Sequence, residues 1–283
     1  MAERLIRLDI TAAEEDYEGI TGLLFMKLSS GWEEQSHPTG ETLFRAHCEN
    51  AEVMDDIEAC LGELFPHVEK ERSVVEVEDW VTAWKDFFTP VPCGRRFVVL
   101  PPWLAFRNAW PDRKEIVIEP KSAFGTGHHA TTALCLEALS DLLDEGVLRA
   151  GQSFLDLGMG SGVLGMGLAL EGLKGLGLDI DPLALDNARE NCELNRLSED
   201  LFKPGLGSVE AVRGEVFDLV VANILAQPLI DMASDIMALK KNGGALVLSG
   251  ILTVQADRVA AAYEALGEPR RRESGEWTCL VWA

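Results

Sequence analysis

The sequence predicts an α/β protein: a seven-stranded Rossmann-like domain preceded by a small ferredoxin-like α+β domain. Three observations carry that expectation. The apolar run Phe154-Leu155-Asp156-Leu157 enters a glycine-rich turn, Gly158-Met159-Gly160-Ser161-Gly162, and the next apolar run ends on Asp179-Ile180-Asp181 about twenty residues later. From Phe97 onward strand-like and helix-like runs alternate, the pattern of a parallel sheet with helical crossovers. Runs such as Leu219-Val220-Val221-Ala222 are apolar throughout, as strands buried on both faces are.

The elements follow in order. Residues 1–77 read as the small domain. Ile6, Leu8 and Ile10 alternate with Leu5, Arg7 and Asp9 as in a half-buried strand. Tyr17–Leu28 reads as a helix, Gly31-Trp32-Glu33-Glu34 as the turn into a second strand, Thr42–Cys48 as a third, Met54–Phe65 as another helix and Ser73–Val77 as the closing strand. Residues 78–96 read as a linker helix and loop. Trp80, Trp84 and Phe87 share one helical face, which suits a linker pinned to its neighbours better than a ligand site. Residues 97–283 are the main domain. Its seven strand-like runs are Phe97–Leu100, Glu115–Ile118, Ser153–Leu157, Gly175–Ile180, Val209–Arg213, Asp218–Ala222 and Ala245–Ser249. Helical runs lie at Thr131–Leu143, Gly162–Glu171, Leu183–Asn195, Pro228–Leu239 and Val254–Leu266.

Composition narrows the partners. The chain has 283 residues, 47% of them hydrophobic, enough for one large core and a smaller one. No apolar run approaches the roughly 18 residues of a membrane helix, and charge interrupts the N-terminus too often for a signal peptide. The six cysteines are scattered without a C-x-x-C, which fits a reducing cytoplasm rather than a disulfide framework or zinc site. Net charge is −22, and residues 1–78 hold 19 Asp and Glu against 6 Lys and Arg. Such a surface repels nucleic acid, whose binding depends on cations that neutralise phosphate. It attracts a basic protein, or simply keeps the chain soluble.

The glycine turn and the following acid suit a nucleoside-bearing cofactor, because the acid sits where ribose hydroxyls are accepted. Gly160-Ser161-Gly162-Val163-Leu164-Gly165 satisfies the nicotinamide fingerprint literally, but that fingerprint wants its first glycine directly after the strand. The alternative, with Asp156 just before the turn, places a carboxylate that suits the cationic end of S-adenosylmethionine and repels a dinucleotide's phosphates. Glycines serving only helix–strand packing are a third reading. Glu119 to Thr132 adds turns and hydroxyls ahead of a helix N-terminus, and Asn223-Ile224-Leu225-Ala226 follows a strand with an amide that can accept from an amine. Adjacent His128 and His129 have no carboxylate or cysteine at ligand spacing, so they read as ordering the loop rather than holding a metal.

These segments, in this order, resemble the PrmA family, bacterial methyltransferases of ribosomal protein L11. The resemblance rests on Gly31-Trp32-Glu33-Glu34, the Trp80 and Trp84 segment, Ala123-Phe124-Gly125-Thr126-Gly127-His128-His129, the Asp156 to Gly162 turn, Asp179-Ile180-Asp181-Pro182 and Ala222-Asn223-Ile224-Leu225-Ala226. It continues through Ser249-Gly250-Ile251-Leu252 and Gly275-Glu276-Trp277. Ala130 and Met159 depart from the residues many members carry, at positions whose side chains the chemistry does not need. The resemblance implies an S-adenosylmethionine-dependent enzyme methylating lysine ε-amino or N-terminal α-amino groups of L11, with no direct nucleic-acid or membrane partner. It puts cofactor contacts on Thr132, Gly158, Asp179 and Asn223. Phe124, Thr126, Asp156, Gly160, Gly162 and Ile180 complete the candidate cofactor site, and Asn223 is the candidate catalytic residue. Another protein-lysine methyltransferase, a non-catalytic cofactor-binding protein and an NAD-dependent dehydrogenase are the competing readings.

Overall fold

The computed structural model describes residues 4–28, 32–36, 41–48, 50–76, 88–106, 109–119 and 129–283. The candidate residues Phe124 and Thr126, and the aromatic face of Trp80, Trp84 and Phe87, lie outside them. The chain divides into two compact units, Met1–Phe88 and Thr89–Ala283.

In the first unit β1 (Arg4–Ala12), β2 (Trp32–Ser36), β3 (Thr42–Cys48) and β4 (Glu69–Glu76) form one sheet in the order β2-β3-β1-β4, every neighbour antiparallel. Helices Tyr17–Lys27 and Ala51–Leu64 complete it. Alternation in β1 sends Leu8 and Ile10 into a core with Phe44, Ile20, Leu24 and Ile57. The second helix starts three residues before the expected Met54, because the Asn50 side chain caps it by accepting from Glu52 N at 2.9 Å. Across the sheet from that core, Asp9 sits between Arg7 (2.8 Å) and Arg45 (3.0 Å), which hold its carboxyl down to about 2.

The second unit begins with β5 (Val91–Cys93), which pairs antiparallel with β6 (Phe97–Leu100); β6 in turn pairs parallel with β7 (Lys114–Val117). These three strands form a separate small sheet. The main sheet holds seven strands: β8 (Ser153–Leu157), β9 (Lys174–Asp179), β10 (Phe202–Leu206), β11 (Phe217–Asn223), β12 (Lys240–Leu252), β13 (Arg270–Ser274) and β14 (Trp277–Trp282). Their order is β10-β9-β8-β11-β12-β14-β13, parallel except that β14 runs antiparallel to both neighbours.

Only four of the seven runs read from the sequence are strands of this sheet. Phe97–Leu100 and Glu115–Ile118 belong to the small sheet, and Val209–Val212 is a short 3-10 turn. The strand there is β10, hidden by its Lys203-Pro204-Gly205; proline is tolerated because β10 is at the sheet edge. The opposite edge is β13, for which the sequence reading has no element and whose Arg270-Arg271-Arg272 blunts an edge. The helices expected at Pro228–Leu239 and Val254–Leu266 are both shorter: Ala226–Asp231 and Ala233–Leu239 break at Met232, and Ala256–Ala262 is flanked by 3-10 turns.

The sheet is apolar on both faces. Phe154, Leu219, Val221 and Val247 pack on one side, and Leu155, Val220, Ala222, Leu246 and Leu248 on the other. Chain order runs outward from β8 to β9 and β10, then returns to β11 on the other side of β8. That reversal opens a crevice beyond the carboxyl ends of β8 and β11, where sheets of this kind take ligands. Among the described residues no helix is long and apolar enough to cross a membrane.

Candidate active site

A cavity of about 600 Å³ occupies that crevice. Its floor is the turn after β8. Gly158 has φ +71°, and a Cβ there would collide with Ile224 Cγ2. Gly158 N and Met159 N both donate to Leu178 O, at 2.8 and 3.1 Å, tying the turn to the end of β9. Gly160 N then donates to Asp179 Oδ2 at 2.9 Å, and Asp181 N to Asp179 Oδ1 at 3.0 Å. Two backbone donors thus fix the Asp179 carboxylate, and each oxygen retains acceptor capacity. Beside it Ile180 is 77% exposed and lines the cavity, an apolar shelf next to an acid.

The other wall is built around the N-terminus of helix Ala130–Asp144. His129 caps it, Nδ1 accepting from Thr131 N at 3.4 Å. Thr132 is fully buried, and its Oγ1 accepts from Asn223 Nδ2 at 3.4 Å. Asn223 is the last residue of β11, and its Oδ1 has no partner among the described residues. Ser249 Oγ donates to Thr131 O at 3.2 Å, anchoring the helix to β12.

The cavity therefore brings together Thr132, Gly158, Gly160, Asp179, Ile180 and Asn223. It does not include Asp156 or Gly162. Gly162, at φ +80°, starts helix Val163–Leu170, where a Cβ would press on the Phe202 ring at 3.2 Å. Asp156 is fully buried beneath the turn; its Oδ2 accepts from Gly165 N at 2.9 Å and its Oδ1 has no partner among the described residues. Burial pushes its carboxyl up to about 7, against the lowering effect of the Gly165 N–H and with the nearby Asp179 charge raising it further.

A raised carboxyl pKa carries a stability consequence with a definite sign. The unfolded group ionises near 3.8 and the folded one near 7, so the stabilisation present below pH 3.8 is lost as pH rises through 7. Across that window the unfolding free energy of the second unit falls by up to about 1.4 kcal/mol per pH unit from this group. Asp156→Asn abolishes the titration. Urea denaturation from pH 4 to 8 will show a flatter pH profile for the variant than for the parent; parallel profiles would show that Asp156 ionises normally.

Several lining residues were not among the candidate site residues: His129 as a wall, Gly207 and Ser208, Pro228 and Met232, and Gly250 and Trp277, the last two noted only for the family resemblance. Gly207 and Ser208 follow β10, so misplacing that strand hid them. Gly250 could have been found: it follows the apolar run of β12, and its φ of +82° lays the backbone against the Ile224 carbonyl. Among the described residues, Asp179 is the sole carboxylate lining the cavity, no Lys or Arg does, and no cluster could hold a metal ion.

A family model described as ribosomal protein L11 methyltransferase (PrmA) matches residues 21–283. The ribosomal protein L11 methyltransferase of Pseudomonas fluorescens (strain Pf0-1) is 41% identical over 224 residues, 78% of this chain and 72% of that protein. That of Saccharophagus degradans is 37% identical over 241 residues, covering 84% and 79%. Among solved structures, the ribosomal protein L11 methylase of Lactobacillus delbrueckii subsp. bulgaricus superposes with a TM-score of 0.59 at 27% identity, over 69% of this chain and 97% of that one. With a glycine turn, a fixed acid and an amide acceptor meeting at the switch point of the sheet, the chain belongs to the ribosomal protein L11 methyltransferase (PrmA) family and is a protein methyltransferase using S-adenosylmethionine.

Proposed function

We propose that this chain transfers methyl groups from S-adenosylmethionine to lysine ε-amino or N-terminal α-amino groups of ribosomal protein L11. The observation that carries the reading is Asn223 Oδ1, an amide acceptor without a protein partner among the described residues, on a cavity wall otherwise short of polar groups. A buried acceptor left unpaired costs stability, so its retention at this position supports a ligand donor there. The family name and the relatives' names supply the substrate class.

The cavity fits the cofactor. Asp179 suits two ribose hydroxyls, Ile180 an aromatic base, and the glycine turn a closely approaching chain. When bound, S-adenosylmethionine supplies an electrophilic methyl group on a sulfonium sulfur. The protein's share is to bind, orient and exclude water. Asn223 is held by Thr132 so that Oδ1 accepts an amine N–H and aims the nitrogen lone pair. A lysine amine, with a reference pKa of about 10.4, loses its proton before it attacks. Among the described residues no side chain stands out as the base, and solvent serves.

We further assign residues 1–77, with their ferredoxin-like βαββαβ order, to substrate recognition, residues 78–96 to the linker, and residues 97–283 to the methyltransferase domain. From a ribosomal protein substrate we infer a cytoplasmic reaction, and the acidic surface disfavours direct contact with nucleic acid. The test is incubation of purified chain with labelled cofactor and L11, with mass spectrometry of the product. Label on a different basic protein, with L11 unlabelled, would redirect the substrate assignment. Asp179→Ala will weaken cofactor binding about tenfold, since it leaves ligand hydroxyls unpaired at roughly 1–3 kcal/mol. Calorimetry checks this, and unchanged affinity would remove Asp179 from the cofactor site.

A further inference from the structure

Asp156 is fully buried beneath the glycine turn, outside the cavity yet close to the reacting end of it. On β8 it pairs with Val221 of β11, and Asn223 stands two residues further along that strand. Side chains alternate, so Asp156, Val221 and Asn223 share one face of the sheet, that of Phe154 and Leu219. A rise of about 3.3 Å per residue and a strand spacing of about 4.8 Å set the Asp156 backbone roughly 8 Å from that of Asn223. Each side chain carries an Oδ1 without a partner among the described residues.

The carboxyl is balanced between its two forms. Gly165 N, in the first turn of helix Val163–Leu170, donates to Oδ2 at 2.9 Å and favours the carboxylate. Burial opposes it, and the Asp179 charge on β9 adds to the opposition. From helix Ala130–Asp144 the group faces Cys135, whose thiol bonds Cys279 of β14 and is pushed well above its usual value, so it stays neutral. Val221 on β11 brings no charge, and among the described residues no Lys or Arg lines the cavity above. The balance therefore falls to the charge of whatever occupies the crevice.

S-adenosylmethionine carries a positive sulfonium; S-adenosylhomocysteine, left after transfer, has a neutral thioether at the same atom. We propose that Asp156 lets the site discriminate between the two, giving its proton to solvent when the sulfonium form binds and keeping it when the thioether form does. The proposal rests on the methyltransferase reading above. Both ligands carry the same ribose, so Asp179 acts on Asp156 alike in the two complexes. Asp156 lines no part of the cavity and is not a catalytic residue. It acts by charge through the Gly158–Gly160 turn, in surroundings where a unit charge is screened far less than in water. The free carboxyl, pushed up to about 7 by burial, is drawn down by the sulfonium. The advantage of the cofactor over its spent form thus grows as pH rises.

Calorimetry of the full chain with each ligand tests this. Asp156→Asn keeps an acceptor for Gly165 N and carries no charge. The ligands' own amino groups titrate alike with both proteins, so the variant serves as the reference. From pH 6 to pH 8 the ratio of the two dissociation constants in the parent, relative to the variant, will shift roughly fivefold in favour of S-adenosylmethionine. That is the change expected if the sulfonium makes the carboxyl about tenfold more acidic. At pH 7, titrations of the parent in buffers of different ionisation enthalpy will show about 0.4 proton more released with S-adenosylmethionine than with S-adenosylhomocysteine. This second measurement stands even should the variant not fold. Equal proton release with the two ligands, or a ratio that follows pH identically in parent and variant, overturns this proposal alone. A parent that binds neither ligand overturns the underlying reading as well.

Discussion

Asn223→Ala will lower turnover on the order of 100-fold, while cofactor affinity falls far less. The expectation follows from the placement of one amide. Asn223 ends β11 at the switch point, its Nδ2 engaged by Thr132 Oγ1 at 3.4 Å and its Oδ1 left for a ligand. Methyl transfer to nitrogen is governed by distance and alignment of the lone pair. A nucleophile displaced by ~1 Å forfeits about two orders of magnitude. The cofactor, by contrast, keeps the Asp179 carboxylate, the Gly158–Gly160 turn and the Ile180 shelf in the variant. Single-turnover methylation of L11 with saturating cofactor, set beside calorimetry, separates the two effects. Equal losses in rate and affinity would reduce Asn223 to a binding residue.

What could be read from the chain beforehand was local. The Gly158 turn, Asp179 and Asn223 announce themselves because each couples a backbone requirement to an apolar strand in a short window. Their convergence at one cavity follows from the β8–β11 adjacency, which no window contains. Edge strands were the chief loss. β10 carries Pro204 and β13 carries three arginines, residues that suit the edge positions both strands take in the sheet. Strand propensity therefore points the wrong way at both margins of the sheet, and Ser208, just past β10, was missed with it.

Asp156 teaches a different lesson. The sequence placed a carboxylate before the glycine turn and matched it to a cationic ligand through charge. In the fold the same carboxylate is turned under the turn toward the start of helix Val163–Leu170, where Gly165 N meets it. A strand residue has two faces to choose from, and the glycine pattern does not say which one this residue takes. Gly275-Glu276-Trp277 was noted for the resemblance, but its place in the cavity wall was not legible, because Trp277 reaches it from an antiparallel strand.

Removal of the first unit will abolish methylation of intact L11 and spare cofactor binding. A chain beginning at Thr89 retains every described residue lining the cavity, from His129 to Trp277, and both apolar layers of the main sheet. The unit it loses has its own core around Leu8, Ile10 and Phe44. That lost unit also carries most of the chain's charge: residues 1–78 have a net −13 of the total −22. Complementary charge chiefly accelerates encounter, so the full chain at low substrate should slow as salt rises toward a Debye length of about 3 Å at 1 M. Free L11 should serve at least as well as the assembled ribosomal subunit, whose RNA phosphates repel an acidic face. A short peptide bearing the acceptor amine separates recognition from chemistry: both forms of the enzyme should methylate it at similar, slow rates. If the shortened chain instead methylates intact L11 at the full rate, with no salt dependence in either form, the acidic unit contributes solubility and nothing to recognition.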